Sequence, residues 1–595
     1  MRNAEAALHV IHERGKRGLP LEDDLYRQLY NPSLYLLAYS RIYSNKGATT
    51  SGSTGETVDG MSLRKIGRII EQLRNERYRW TPVRRVEIPK KNGKTRPLGI
   101  PTWSDKLLQE VIRLILEAYY EPQFSERSHG FRPDRGCHTA LNSIYQHWDG
   151  TKWFIEGDIR GCFDNVEHET MMSILREKIK DNRFLRLIED LLKAGYLEQW
   201  TYHSTLSGVP QGGIISPILS NIYLDKLDRF VEYTLIPAYN SGDKRQENTE
   251  YSKLVKRKYY LHKKGRHQEA REAEKQFQQM RSKDEYDPSF RRLYYVRYAD
   301  DWLIGFIGPI SEAEEIKQRL RTFLREKLKL ELSEEKTLVT HARTHAAGFL
   351  GYEIVVGNDD TKHTNGRRSI NGKIGLRVPA RFVEDRCARF MKNGKPAHRP
   401  ELVNESDFSI VHEYQAKYRG YVQYYKLAHN LSWLAKLHWV MQSSLLKTLA
   451  CKHKSSMNAI AGKYRKAVRF EHGLRKCIEV VVERKDKKPL IARFGGLSLV
   501  RDKNATIKDL PDVNWRPARS ELVKRLLADT CELCGSTDRV EVHHIRALKD
   551  LKKKGSKELP LWQEIMAARH RKTLVVCLSC HTTIHHGDKP SAVTK

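Results

Sequence analysis

The sequence predicts a multidomain α+β protein that ends in a small metal-stapled unit. Three observations predict this. The chain has 595 residues, more than one hydrophobic core holds when domains run to about 100–200 residues. Strand-like apolar runs ending in carboxylates are interleaved with helical stripes. Two C-x-x-C pairs, Cys531/Cys534 and Cys577/Cys580, fall in the last segment.

Hydrophobic residues make up 39% of the chain and charged residues 30%. Aromatics run throughout, which argues against general disorder. Lys and Arg number 106 against 73 Asp and Glu, a formal net charge of +33. Such a surplus repels itself unless a polyanion neutralises it, so nucleic acid is the first partner to expect. No run of about 20 apolar residues is present to span a bilayer, so no membrane role is expected. Met1 to Arg17 lacks the apolar stretch of a secretory signal. A cytoplasmic protein, in a bacterium, is the simplest reading, with an organelle as the alternative. Cys137, Cys162, Cys387, Cys451 and Cys477 are single, and a buried free thiol is the default for each.

The elements follow in order. Lys46 to Gly60 is a Gly/Ser/Thr loop closing an N-terminal helical region. Around Lys91-Asn92-Gly93 two extended runs form a hairpin signal. Residues 240–290 are dense in Lys, Arg, Gln and Tyr and read as a basic insertion. Ser311 to Leu330 is an amphipathic helix, with Ser311 and Glu314 as a capping box. A second helical stripe runs through Tyr414, Tyr418, Tyr421 and Tyr425, and a further one through Trp433, Leu437, Val440 and Leu445. Residues 480–520 are basic and irregular, as in a linker or a small basic domain.

Two apolar strands meet at Ala299-Asp300-Asp301, and Asp158 ends another strand. Adjacent acids at a hairpin tip repel, and a divalent cation relieves that cost. Two Mg²⁺ held by such acids activate a primer hydroxyl and stabilise leaving pyrophosphate. An isolated Asp-Asp is more often a turn; the ordered segments around it decide. Tyr298-Ala299-Asp300-Asp301 resembles the YxDD signature of reverse transcriptases, and Asp158 to Asp164 (DIRGCFD) their first catalytic motif. Gly208-Val209-Pro210-Gln211-Gly212-Gly213 resembles the PQGG motif. Leu332 to Thr337 and Gly348-Phe349-Leu350-Gly351 resemble the motifs after the palm hairpin, while Ile88 to Pro101 and Phe124 to Gly136 resemble the fingers motifs. The resemblance implies Asp158 and Asp300 as Mg²⁺ ligands and Asp301 as a supporting acid. It implies Phe163 under the incoming sugar, where core packing is the competing explanation. It also implies Lys94 and Arg96 on the triphosphate, Gln211 in the pocket and Lys336 at the leaving group. A solvated surface is the alternative for the three basic residues.

The Tyr stripe reads first as core, with Lys417, Arg419 and Lys426 interleaved to grip phosphate. Arg419-Gly420-Tyr421-Val422-Gln423-Tyr424-Tyr425 resembles the thumb, or maturase domain X, of group II intron-encoded proteins. That likeness implies binding to the intron RNA to assist splicing.

The four tail cysteines have the spacing of a structural zinc site. Glu541-Val542-His543-His544-Ile545 and His581-Thr582-Thr583-Ile584-His585 resemble the HNH nuclease, a ββα-metal fold. Carried over by position, His544 is the general base, and His543, His581 and His585 help hold one divalent cation. A zinc ribbon that only binds DNA is the alternative. Where the family has an Asn before the second Cys pair, this chain has Arg571-Lys572-Thr573-Leu574, with Thr573 as a substitute.

The resulting expectation is a right-hand polymerase with fingers and palm at residues 84–365 and an N-terminal RNA-binding extension at 1–83. A helical thumb follows at 366–478, a basic DNA-binding linker at 479–525 and a zinc-stapled nuclease at 526–595. The resemblance implies retrohoming: RNA-directed DNA polymerase, maturase and bottom-strand endonuclease in one ribonucleoprotein, with intron RNA, target DNA and dNTPs as partners. A homodimer and a monomer on RNA are both compatible. A splicing-only maturase, a retron-type polymerase and a stand-alone nuclease are the rivals. Intact Asp158, Asp300 and Asp301 speak against the first, the thumb and tail against the second, and the polymerase segments against the third.

Overall fold

The computed structural model describes residues 3–22, 24–45, 47–89, 93, 95–198, 201–205, 207–208, 212–284, 287–359, 361–364, 367–368, 370–471, 473–484, 487–508, 521–551 and 560–586. Lys94 and Gln211 lie outside them.

The N-terminal region is helical, with α1 (Ala4–Lys16) and α2 (Pro32–Ile42). Asn3 and Asn31 cap these two helices through their side chains. Strands β1 (Val83–Pro89) and β2 (Thr95–Ile100) form the fingers hairpin, in register from Arg84↔Ile100 to Pro89↔Thr95. Of the Lys91-Asn92-Gly93 signal, only Gly93 is among the described residues; Lys91 and Asn92 lie outside them. Behind the hairpin, α3 (Trp103–Tyr120) has apolar residues on every side and is buried along nearly its whole length.

The palm sheet is built from β3 (Trp153–Asp158), β4 (Arg292–Tyr298), β5 (Asp301–Ile307) and β6 (Val339–His341), in the order β4-β5-β3-β6. Between β3 and β4 runs α4 (Ser216–Phe230), which follows the PQGG segment. The basic insertion folds as two helices, Thr249–Lys263 and His267–Gln278. The amphipathic helix after the hairpin spans Ile310–Lys327, with Ile316, Leu320 and Leu324 buried. Its N-cap is Pro309 and no side chain caps it, so the expected Ser311 capping box does not form. The helix begins two residues earlier than that pattern requires.

The thumb contains α5 (Asp407–Tyr424) and α6 (Leu434–Lys452). Tyr414, Tyr418 and Tyr425 are buried, as the core explanation of the stripe requires, whereas Trp433 is exposed. Tyr424 and Tyr425 donate hydroxyl hydrogen bonds to the carbonyls of Leu350 and Gly351 at 2.6 and 2.9 Å. These bonds tie the thumb to the turn of the GFLG motif. Part of the stretch expected to be irregular is sheet: Gly473–Arg484 pairs with Arg465–Phe470 and Lys487–Phe494. Ile478, Val480 and Phe494 are buried in the thumb core, and this burial makes the segment fold despite its charge. Of the single cysteines, Cys451 is exposed and the other four are buried.

The C-terminal unit has α7 (Glu521–Leu527), the antiparallel pair β7 (Val540–His544) and β8 (Thr573–Cys577), and α8 (Leu578–His586). It has a small core of its own around the cysteines. Leu522, Val523, Leu526, Val540, Val542 and Val575 instead join the large core shared with the N-terminal helices.

Candidate active sites

Pairing in the palm sheet sets Asp158 opposite Asp301 and Tyr298 opposite Asp301. Two strand ends and one hairpin tip thus bring three carboxylates together. Burial pushes the Asp300 carboxyl up and Asp158 adds to the effect, while Arg96 and Lys336 oppose it. Burial followed by the charges of Asp300 and Asp158 lifts Asp301 to about 6. Lys336 donates to Asp158 Oδ2 at 2.8 Å. The site is therefore short of positive charge, and an ammonium already leans on one acid. A divalent cation fits this donor set.

The tip is held from behind by a network that motif reading missed. Arg297 is fully buried and pairs with Asp228 at 2.6 Å, and it also donates to Asn221 Oδ1 at 3.2 Å and to the Ala299 carbonyl at 2.8 Å. Tyr295 donates its hydroxyl to Asp228 at 2.8 Å, and Asn221 donates to the Gly130 carbonyl at 2.9 Å. A Cβ on Gly130 would lie 2.4 Å from the Ala299 amide nitrogen, so the segment around Gly130 packs directly on the Ala299-Asp300-Asp301 turn. A signal was available: Asn221 and Asp228 are two helical turns apart on one face of α4, and Arg297 interrupts an apolar strand.

Gly157 faces Trp302 across the ladder, and a Cβ there would sit 2.0 Å from the indole. Gly157→Ala is expected to cost about 2 kcal/mol or more through overpacking and to displace Asp158. Thermal melting and primer extension on the same preparation check both effects.

The remaining polymerase candidates are scattered around this centre. Phe163 is half-buried in the turn after β3, Arg96 is exposed on β2, and Lys336 is exposed. A cleft of about 330 Å³ opens between the hairpin and the palm, lined by Arg85, Gly99, Asp164, Ser207 and Gly208. In the thumb, Arg419 is exposed, Lys417 pairs with Glu413 at 2.5 Å, and Lys426 donates to the Ser498 carbonyl at 3.0 Å.

Among the described residues, two clusters of metal-ligand atoms fall within 4.8 Å of one another, both involving the C-terminal unit. The palm acids, one of them held by Lys336, form no such cluster. The first consists of Cys531, Cys534, Cys577 and Cys580. The Cys534 and Cys577 sulfurs are 3.7 Å apart, close to the ~3.8 Å edge of a tetrahedron with Zn–S of about 2.3 Å. Zinc fits this set. Chelation, or Cys577→Ser, is expected to unfold the unit around β8, because its own core is small. Limited proteolysis with and without chelator reads this out.

The second cluster joins His543, His581 and His585 to Asp59, which the motifs did not single out. Asp59 Oδ1 lies 3.3 Å from His543 Nδ1 and 3.2 Å from His581 Nε2, and Oδ2 lies 2.8 Å from His585 Nε2. Burial pushes Asp59 up, but His543 and His581 hold it far below the usual carboxylate range. Burial opposes charge on His581, yet Asp59 and Glu541 outweigh it and raise His581 to about 9. His544 is 9% exposed, its Nε2 is 2.8 Å from the Tyr39 hydroxyl, and burial first of all lowers its pKa to about 3. Thr573 pairs with His544 across the ladder, and its hydroxyl accepts from Arg525 at 2.8 Å.

Comparison with known proteins accounts for each part. Residues 88–245 match the family model for reverse transcriptase (RNA-dependent DNA polymerase), 377–493 that for type II intron maturase, and 531–581 that for the AI2M/AI1M-like HNH endonuclease. The chain is 40% identical to the group II intron-encoded protein LtrA of Lactococcus lactis subsp. cremoris, over 95% of this chain and 96% of that one. The chain belongs to the group II intron-encoded proteins. This group II intron-encoded protein carries reverse transcriptase, maturase and HNH endonuclease domains, and it is an RNA-directed DNA polymerase. It is also 33% identical to an uncharacterised 91 kDa protein of the cob intron of Schizosaccharomyces pombe, over 98% of this chain and 72% of the relative. Its identity to a putative COX1/OXI3 intron 2 protein of Saccharomyces cerevisiae is 31%, over 93% of this chain and 65% of the relative. Intron RNA binding follows from membership, and no described helix is long and apolar enough to cross a membrane.

Proposed function

We propose that the chain carries out target-primed reverse transcription of its own intron RNA in a bacterial cytoplasm. The carrying observation is the convergence of Asp158, Asp300 and Asp301 on one end of the palm sheet. Asp158 and Asp300 would hold Mg²⁺, with Asp301 in support. Held there, Mg²⁺ would supply charge that makes the primer hydroxyl more acidic and offsets the charge of the leaving pyrophosphate. Lys336 leaves Asp158 for the departing phosphate, to which it supplies charge or a proton. Arg96 and Lys94 draw the triphosphate to the cleft, Phe163 supports the sugar, and Gln211 lines the pocket.

In the thumb, Arg419, Lys417 and Lys426 contact the intron backbone, and the net charge of +33 makes this binding strongly salt-dependent. In the nuclease unit, Cys531, Cys534, Cys577 and Cys580 hold zinc as a staple. His543, His581 and His585 hold the divalent cation that orients the scissile phosphate. His544, kept neutral by its surroundings, takes a proton from water. The cut strand then supplies the 3′-hydroxyl that primes synthesis in the palm.

The test reconstitutes the chain with its intron RNA and a labelled target duplex. Bottom-strand cleavage followed by cDNA covalently joined to the cut strand supports the reading. Splicing assistance with neither product returns the splicing-only maturase.

A further inference from the structure

The N-terminal segment reaches across the molecule into the nuclease site. Beyond the Asp59 contacts, Asp59 Oδ1 accepts from the His544 backbone amide at 2.7 Å. Gly60 donates its amide to the Val542 carbonyl at 3.0 Å, and Val542 donates back to the Met61 carbonyl at 2.8 Å. These bonds make Met61 a one-residue strand on the edge of β7. Beneath them, Val542 is fully buried in the core common to the two units.

Three features bear on what this contact does. His543 is 4% exposed, and neither of its ring nitrogens has a well-formed hydrogen bond among the described residues. A buried imidazole left so is costly unless a cation takes its lone pair. His581 is oriented from behind by Glu541 at 2.9 Å, as the ligands of bound metals commonly are. Third, Asp59 adds a carboxylate to three imidazoles. A fourth protein ligand, and an anionic one, leaves less of the cation's shell for water or a phosphate oxygen than three imidazoles do. On the other side of the site, Tyr39 is fully buried and covers the His544 ring nitrogen.

We infer that Asp59 is a fourth protein ligand of the nuclease cation, and that with Tyr39 it keeps the nuclease shut until the C-terminal unit leaves the N-terminal segment. This rests on the reading of His543, His581 and His585 as cation ligands. Asp59 occupies the position a scissile phosphate would need, and Tyr39 holds the nitrogen that would take the proton. Cleavage therefore requires undocking, which a bound DNA target drives by competing for the same cation.

The test uses Co²⁺ on the full-length, zinc-loaded chain. Four-coordinate Co²⁺ lacks a centre of symmetry and absorbs more strongly in the visible than octahedral Co²⁺, so the palm carboxylates contribute little to the spectrum. Asp59→Asn, nearly isosteric, is expected to weaken the strong bands and to bind Co²⁺ about tenfold less tightly. In the ribonucleoprotein with Mg²⁺, the same variant is expected to nick target DNA about fivefold faster in the first turnover. Tyr39→Phe, which retains the packing, is expected to keep the bands and also to speed nicking. Unchanged bands in Asp59→Asn, or nicking unchanged or slower in either variant, would overturn the inference. His585→Ala separates the two levels. If it keeps the bands, the cation reading itself fails; if it loses them while Asp59→Asn keeps them, only the role of Asp59 fails.

Discussion

Asp300→Ala is expected to abolish DNA synthesis, with a loss of about a thousandfold or more, while leaving the fold intact. Asp300 is half-buried beside Asp158, and the charge repulsion between them is a cost to the folded protein. Removing one acid relieves that repulsion, so stability should hold or rise while catalysis disappears. Few substitutions separate the two effects so cleanly. Asp301→Asn is expected to be milder, because Asp158 and Asp300 would hold the cation and Asp301 would only support them. Primer extension with Mg²⁺ and a thermal melt on each variant check both statements. A variant that lost activity and stability together would point to a structural role instead.

Arg297→Met is expected to have the largest effect on stability, about 3–5 kcal/mol, because it leaves Asp228 buried without its partner. The double variant Arg297→Met with Asp228→Leu is expected to recover much of that stability, since an apolar pair can replace a buried ion pair. It should not recover synthesis. The Ala299 carbonyl and Asn221 would still have lost the guanidinium that braces the Ala299-Asp300-Asp301 turn, in which Ala299 has a φ of 55°. Denaturant unfolding and primer extension on the three proteins measure the split. Recovery of synthesis in the double variant would show that the ion pair contributes stability alone.

Much of this architecture was legible in the residue order. Asp158, Asp300 and Asp301 could be read as one centre because Asp158 ends a strand, Asp300 and Asp301 sit where two apolar strands meet, and the ordered motifs around them resemble those of reverse transcriptases. The cysteine pairs were legible because their spacing alone constrains four sulfurs. The Tyr414, Tyr418 and Tyr425 stripe could be placed in the core by its period. What was not legible depends on contacts between distant segments. Asp59 lies in a Gly/Ser/Thr loop, where an acid carries no signal until the nuclease unit docks 484 residues away, at His543. The sheet at Gly473–Arg484 was hidden because charged residues such as Lys476, Glu483 and Arg484 bracket a short apolar run, of which only Cys477, Ile478 and Val480 are buried. Ser311 failed as a cap because the chain enters that helix at Pro309.

The most direct test of the central claim is incorporation of dNTPs by the purified full-length chain on a poly-rA template with an oligo-dT primer and Mg²⁺, in low and in moderate salt. The polymerase account predicts robust synthesis that Asp300→Ala removes. A folded protein that incorporates nothing, on this template or on its own intron RNA, would contradict it.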